Sequence, residues 1–192
     1  MNTRSAVDTV LSSLSEKDIA LFATGFISRE AFDAKDRDSN FYLIGSMGLI
    51  SSIGLGIALN SKKRIFIFDG DGSALMELGT LAMIANHRPS NLFHIVLDNE
   101  KYASTGGQPS ISKDEDLSCI TRALGYKRVF KIDNITKLRK SCKNILKEKG
   151  PVLVLLKVKD KNTIDIGRVS IAPERLTSRI IKVIRKNKRG VR

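Results

Sequence analysis

The chain has 192 residues, of which 42% are hydrophobic and 28% charged, and it carries a formal net charge of +13. That length suits one domain with a full core and is short for two, and the composition is ordinary for a globular protein. No run approaches the roughly 20 apolar residues of a membrane span, and residues 1–15 lack the apolar centre of a secretory signal, so a cytoplasmic protein without a membrane partner is expected.

The charge is unevenly spread. From Met1 to Tyr126 there are 12 Lys and Arg against 15 Asp and Glu, whereas Lys127 to Arg192 carry 21 against 5. Such a basic third can mark a nucleic-acid or membrane surface. Its basic residues, however, lie along amphipathic helices and strand ends with almost no aromatics between them, and single-stranded nucleic acid is bound by stacking on aromatics. Nucleic acid is therefore not expected as the main partner. Cys119 and Cys142 form no CxxC pair and have no His at ligand spacing, so both are read as reduced and structural.

In chain order, Ser5–Leu14 reads as an amphipathic helix and Ile19–Ala23 as a short strand. Thr24-Gly25 turns into a helix over Ser28–Asp36, where Arg29 either faces an anion or belongs to a capped helix start with solvated charges. Strand Phe41–Ile44 runs into Gly45-Ser46-Met47-Gly48, followed by a helix over Leu49–Leu59 rich in small residues. Strand Ile65–Phe68 ends in Asp69-Gly70-Asp71-Gly72. A helix over Ala74–Asn86 is stopped by Pro89, and strand Leu92–Leu97 ends in Asp98-Asn99. Neither His87 nor His94 has the setting of a catalytic base.

Beyond the loop 100–108 come helix Lys113–Leu124, strand Tyr126–Lys131, helix Ile135–Lys149 and strand Val152–Lys159. The unbroken apolar run from Val152 to Leu156 fits a strand buried on both faces. A basic connector and a helix from Pro173 to about Lys186 close the chain. The alternation predicts a three-layer α/β sandwich around a mostly parallel sheet of about six strands, one domain over 1–192 with 160–192 as connector and last helix.

In parallel sheets ligands sit beyond the carboxyl ends of the strands, which puts Asp71 and Asn99 on one edge. A carboxylate, an amide oxygen and a backbone carbonyl from the loop after Asn99 suit a small hard cation such as Mg²⁺. Gly70 and Gly72 let the backbone approach an anion, and a helix starting near Ser73 would point free N–H groups at it.

Gly70-Asp71-Gly72-Ser73 followed by Asn99 resembles the diphosphate-binding motif of thiamine diphosphate enzymes. The resemblance implies thiamine diphosphate and Mg²⁺ as cofactors, with the metal held by Asp71, Asn99 and the backbone carbonyl of Lys101. Gly45-x-Met47-Gly48 is similar to the segment by which this family holds the aminopyrimidine. It implies a carbonyl at Gly45, with Ser46 beside it, and a Met47 side chain wedged between the cofactor rings.

Together with these residues, Ser104-Thr105-Gly106-Gly107-Gln108 resembles a narrower group, the sulfopyruvate and phosphonopyruvate decarboxylases, above all their beta-subunit type. The similarity continues through Gly167-Arg168 and Pro173-Glu174. It implies decarboxylation of a small anionic 2-oxo acid, sulfopyruvate first and phosphonopyruvate as the alternative, with Ser104, Thr105 and Gln108 on the acidic tail. The Lys101 side chain is a further candidate there. This family activates its cofactor with a glutamate from a separate pyrimidine-binding domain. Glu30, Glu77 and Glu100 lie in no segment resembling that domain, so no catalytic residue is assigned here. The implied partner is a second subunit that supplies the glutamate, in a heteromer containing a homodimer of this chain. A non-catalytic cofactor- or nucleic-acid-binding protein on the same fold is the alternative of another class.

Overall fold

A computed structural model describes residues 1–159 and 166–185. Among them, six strands form one sheet: β1 (Ile19–Phe22), β2 (Asn40–Tyr42), β3 (Ile65–Gly70), β4 (Leu92–Asp98), β5 (Arg128–Ile132) and β6 (Val152–Lys157). Their order is β2-β1-β3-β4-β6-β5, and every pairing is parallel. The sheet is thus wholly parallel, where the sequence predicts mostly parallel.

The inner strands β1, β3, β4 and β6 read as near-continuous apolar runs because helices bury both of their faces, whereas the edge strand β5 is partly exposed. Side chains alternate accordingly. Phe22, Phe66, Phe68, Phe93 and Val154 point to one layer, with α1 (Thr3–Leu11), α2 (Phe26–Ala34) and α7 (Ile135–Ile145). Leu21, Ile65, Ile67, Leu153 and Leu155 point to the other, with α3 (Ile50–Asn60), α5 (Leu78–His87) and α6 (Leu117–Ala123). In the first layer Phe22 stacks on Phe68 with centroids 4.7 Å apart, and Phe66 on Phe93 at the same distance. The last helix, α8 (Pro173–Arg185), gives Leu176 to the first layer and Ile180 to the second. It lies across the β2 edge, where Arg179 pairs with Asp36 at 2.7 Å and donates to the Asn40 carbonyl at 2.9 Å.

Several expected boundaries move. The single helix expected over Ala74–Asn86 is two, α4 (Asp71–Met76) and α5, separated at Glu77 by a backbone with φ −123 and ψ 43. The helix expected over Lys113–Leu124 is a 3₁₀ turn, Ile111–Lys113, followed by α6, whose start Asp116 caps by accepting from the Ser118 N–H at 2.8 Å. Strand β2 ends at Tyr42, leaving Ile44 56% exposed. Both cysteines are free, but only Cys142 is in the core; Cys119 is exposed. Residues 160–165 of the basic connector and 186–192 lie outside the described residues, and no described helix is long and apolar enough to cross a membrane.

Candidate functional site

Strand β1 hands the chain to β2 on one side of the sheet, and its neighbour β3 hands it to β4 on the other. The loops leaving β1 and β3 therefore diverge, which opens a crevice at the carboxyl edge. A cleft of about 90 Å³ lies there. It brings together Met47, Gly70, Asp71, Gly72, Ser73, Asn99, Lys101, Ser104 and Thr105, with Thr24, Phe26 and Ile27 from the β1 side. Gly45, Ser46 and Gln108 do not line it. Arg29 instead stacks on the Phe26 ring, 5.5 Å from its centroid.

Asp71 opens α4, two residues earlier than the expected helix start, and that helix has only six residues. A helix this short has little dipole with which to attract an anion. The Asp71 side chain is buried, and the Ser110 and Ser112 hydroxyls both donate to its Oδ2, Ser112 at 2.8 Å. Burial pushes the Asp71 carboxyl above its ordinary value; the two serine hydrogen bonds oppose that rise, and the charge of Asp98 adds to it.

Asp98, also buried, accepts from the Ser112 hydroxyl at 2.9 Å, the Glu100 N–H at 3.1 Å and the Lys157 ammonium at 2.8 Å. Lys157 reaches Glu100 as well, at 2.5 Å, and holds the Glu100 carboxyl below its usual range. That contact pins a residue whose φ of 62 lies in the left-handed region. Next to it, the Asn99 side-chain oxygen accepts from the Lys101 N–H at 3.3 Å.

Two contacts set the loops around the Gly70–Ser73 turn. The Gly48 N–H donates to Ser73 Oγ at 3.2 Å, which ties the Met47 loop to the first turn of α4. Above Gly72 lies the Tyr102 ring, so close that a Cβ on Gly72 would stand 2.3 Å from a ring carbon. Beneath the turn, Asp69 Oδ1 accepts from the Gly70 N–H at 2.9 Å, and Oδ2 lies 3.2 Å from His94 Nε2, both side chains fully buried. Neither histidine lines the cleft, and neither does Glu30, Glu77 or Glu100.

Sequence reasoning missed Ser110, Ser112, Asp98, Lys157 and Tyr102. Asp98 and Lys157 carried a signal, since both end strands of a sheet whose carboxyl edge holds ligands. The serines carried none, because their carboxylate partner lies 39 and 41 residues back.

Residues 27–156 match the family model described as "Thiamine pyrophosphate enzyme, C-terminal TPP binding domain". The chain is 37% identical over 174 residues to a phosphonopyruvate decarboxylase of Streptomyces hygroscopicus, covering 91% of this chain but 43% of the relative. It therefore spans less than half the length of that protein. It is 35% identical over 175 residues to the sulfopyruvate decarboxylase subunit beta of Methanothermobacter thermautotrophicus, covering 91% of each. Among solved structures, 2-oxoglutarate:ferredoxin oxidoreductase from Magnetococcus marinus superposes with a TM-score of 0.69 at 13% identity, over 85% of this chain and 66% of that one, a likeness of fold. With 130 of its 192 residues inside the family model and its polar strand ends gathered on one cleft, the chain belongs to the thiamine pyrophosphate enzymes as a C-terminal TPP-binding domain.

Proposed function

We propose that this chain is the diphosphate-binding subunit of a thiamine diphosphate- and Mg²⁺-dependent 2-oxo-acid decarboxylase acting on sulfopyruvate. One observation carries the reading: Asp71 and Asn99, at the ends of adjacent strands, line the same cleft as Gly70 and Gly72. The donors fit the cofactor pair. A carboxylate, an amide oxygen and a backbone carbonyl are the ligands a hard divalent cation takes beside substrate phosphates. Around Gly45 a Cβ would meet nothing within 4 Å, so the backbone there stands open to a planar ring.

In this reading Asp71, Asn99 and the Lys101 carbonyl hold Mg²⁺. Gly70, Gly72 and Ser73 lie against the diphosphate, and Gly45, Ser46 and Met47 hold the aminopyrimidine, Met47 supplying an apolar, unbranched wedge. Thiamine diphosphate, when bound, supplies the electron sink that lets a 2-oxo acid lose CO₂. The hydroxyls of Ser104 and Thr105 and the amide of Gln108 donate to the anionic tail of the substrate.

A cleft of about 90 Å³ is well below the roughly 300–1,000 Å³ of ligand pockets. The remaining wall, with the activating glutamate, is assigned to a second subunit carrying a pyrimidine-binding domain, in a heteromer built on a homodimer of this chain. Sulfopyruvate is preferred because the match extends over 91% of a beta subunit's length; the 37% identity to a phosphonopyruvate decarboxylase supports that acid as the second reading.

The test is calorimetric titration with thiamine diphosphate and Mg²⁺, then CO₂ release from sulfopyruvate and phosphonopyruvate with and without a pyrimidine-binding partner. Weak cofactor binding and no turnover by the chain alone, with turnover restored by the partner, is the expected result. Robust decarboxylation by the isolated chain would overturn the split site.

A further inference from the structure

Ser110 and Ser112 stand at the foot of the loop that crosses the cleft. This loop closes on itself: Lys101 bridges to Pro109, the Tyr102 N–H donates to the Gln108 carbonyl at 2.8 Å, and the Ser110 N–H donates to the Glu100 carbonyl at 3.0 Å. Its tip rests on the glycine turns, with Tyr102 over Gly72 and Ser104 beside Gly25. Its foot reaches Asp71, because both serine hydroxyls, each buried, land on the same oxygen of that carboxylate. The two hydroxyls also lie 2.7 Å apart.

We infer that Ser110 and Ser112 are positioning residues for the metal site: by holding Oδ2 of Asp71 they orient the carboxylate so that its other oxygen faces the cation. The inference rests on the proposed metal role of Asp71 and deepens it. A free carboxylate rotates about its terminal torsion through a broad range. Two donors on one oxygen remove that freedom before a cation arrives, so less ordering is left to be done on binding. Hydrogen-bond partners of metal-ligating carboxylates act in this way, and their loss weakens metal binding about 10- to 100-fold.

Proton counting makes the arrangement directional. Each hydroxyl has one hydrogen to give, so Ser112 serves either Asp71 or Asp98 at any instant. Asp98 has two other donors, the Glu100 N–H and Lys157. Asp71 therefore has the stronger call on Ser112, and Ser110 supplies the second hydrogen bond. The same serine that orients Asp71 ends the loop bearing Ser104, Thr105 and Gln108, so the metal ligand and the proposed substrate loop share one anchor.

The experiment uses the full chain with Mn²⁺ as the metal probe, read by electron paramagnetic resonance with thiamine diphosphate present, for wild type, Ser110→Ala, Ser112→Ala and the double variant. Each single variant is expected to raise the Mn²⁺ dissociation constant several-fold and the double variant at least about tenfold. At saturating Mn²⁺, diphosphate binding should return to the wild-type value, which a collapsed site would not do. Unchanged Mn²⁺ affinity in both single variants overturns the inference, as does a loss of cofactor binding that saturating metal fails to restore. Absence of Mn²⁺ binding by the wild type would overturn the proposed function itself, and this inference with it.

Discussion

Asp71 is a buried carboxylate whose hydrogen bonds do not fully offset its burial. A carboxyl raised on folding favours the fold while protonated, and that contribution is lost as pH rises through its folded value. At neutral pH the protein therefore carries a cost at this residue. Asp71→Asn should melt a few degrees higher than wild type without metal and lose metal-dependent cofactor binding, both measurable by calorimetry with and without Mg²⁺. A lower melting temperature would contradict this account. The residue was legible in the sequence because it sits in Gly70-Asp71-Gly72 directly after an apolar run. Ser110 and Ser112 were not, because a serine hydroxyl acquires a role only from what folding sets opposite it, here a side chain from another strand end.

Helices and strands were legible wherever one apolar period ran unbroken, as in β3, β4 and β6. Where the period continued past a backbone break, it misled. Glu77 interrupts an apolar stretch two residues ahead of Gly79, which falls inside α5 and not at the break itself, and Arg88 takes the left-handed position that ends α5, with φ 51. Asp116 is the opposite case, a capping residue ahead of α6 that the periodicity overran.

Two predictions belong to elements. Burial alone would raise the Asp116 carboxyl, but hydrogen bonds from Lys131 and from Ser118 bring it down to about 2. A carboxyl depressed on folding contributes stability that is full above its unfolded value, near 4, and fades as pH falls towards 2. The denaturant midpoint of Asp116→Asn should therefore be lower than wild type at pH 6, with the gap closing below about pH 3. On α3, a Cβ at Gly54 would stand 2.3 Å from Ile67 Cδ1 in the sheet beneath. Gly54→Ala should cost about 1–3 kcal/mol by overpacking, despite the better helix propensity of alanine, as read from urea unfolding.

At the scale of the molecule, the alternating pattern foretold layers and a parallel sheet but not the strand order. The order follows from long-range pairing, as when β5 goes to the far edge and β6 returns between it and β4. That order makes β1 and β3 neighbours with diverging loops and so creates the cleft.

The last helix finishes the molecule at the opposite edge, where α8 lies on β2 through Leu176, Ile180 and the forked contact of Arg179 with Asp36. A strand left with unpaired amides and carbonyls is a template on which other chains add. Removing α8, or cutting its hold with Arg179→Ala, should therefore turn a well-behaved solution turbid on gentle warming, in proportion to protein concentration, before the central strands lose their protection from hydrogen exchange. In that sense the C-terminal helix works as the hem of the fabric, and unpicking it starts the fraying there.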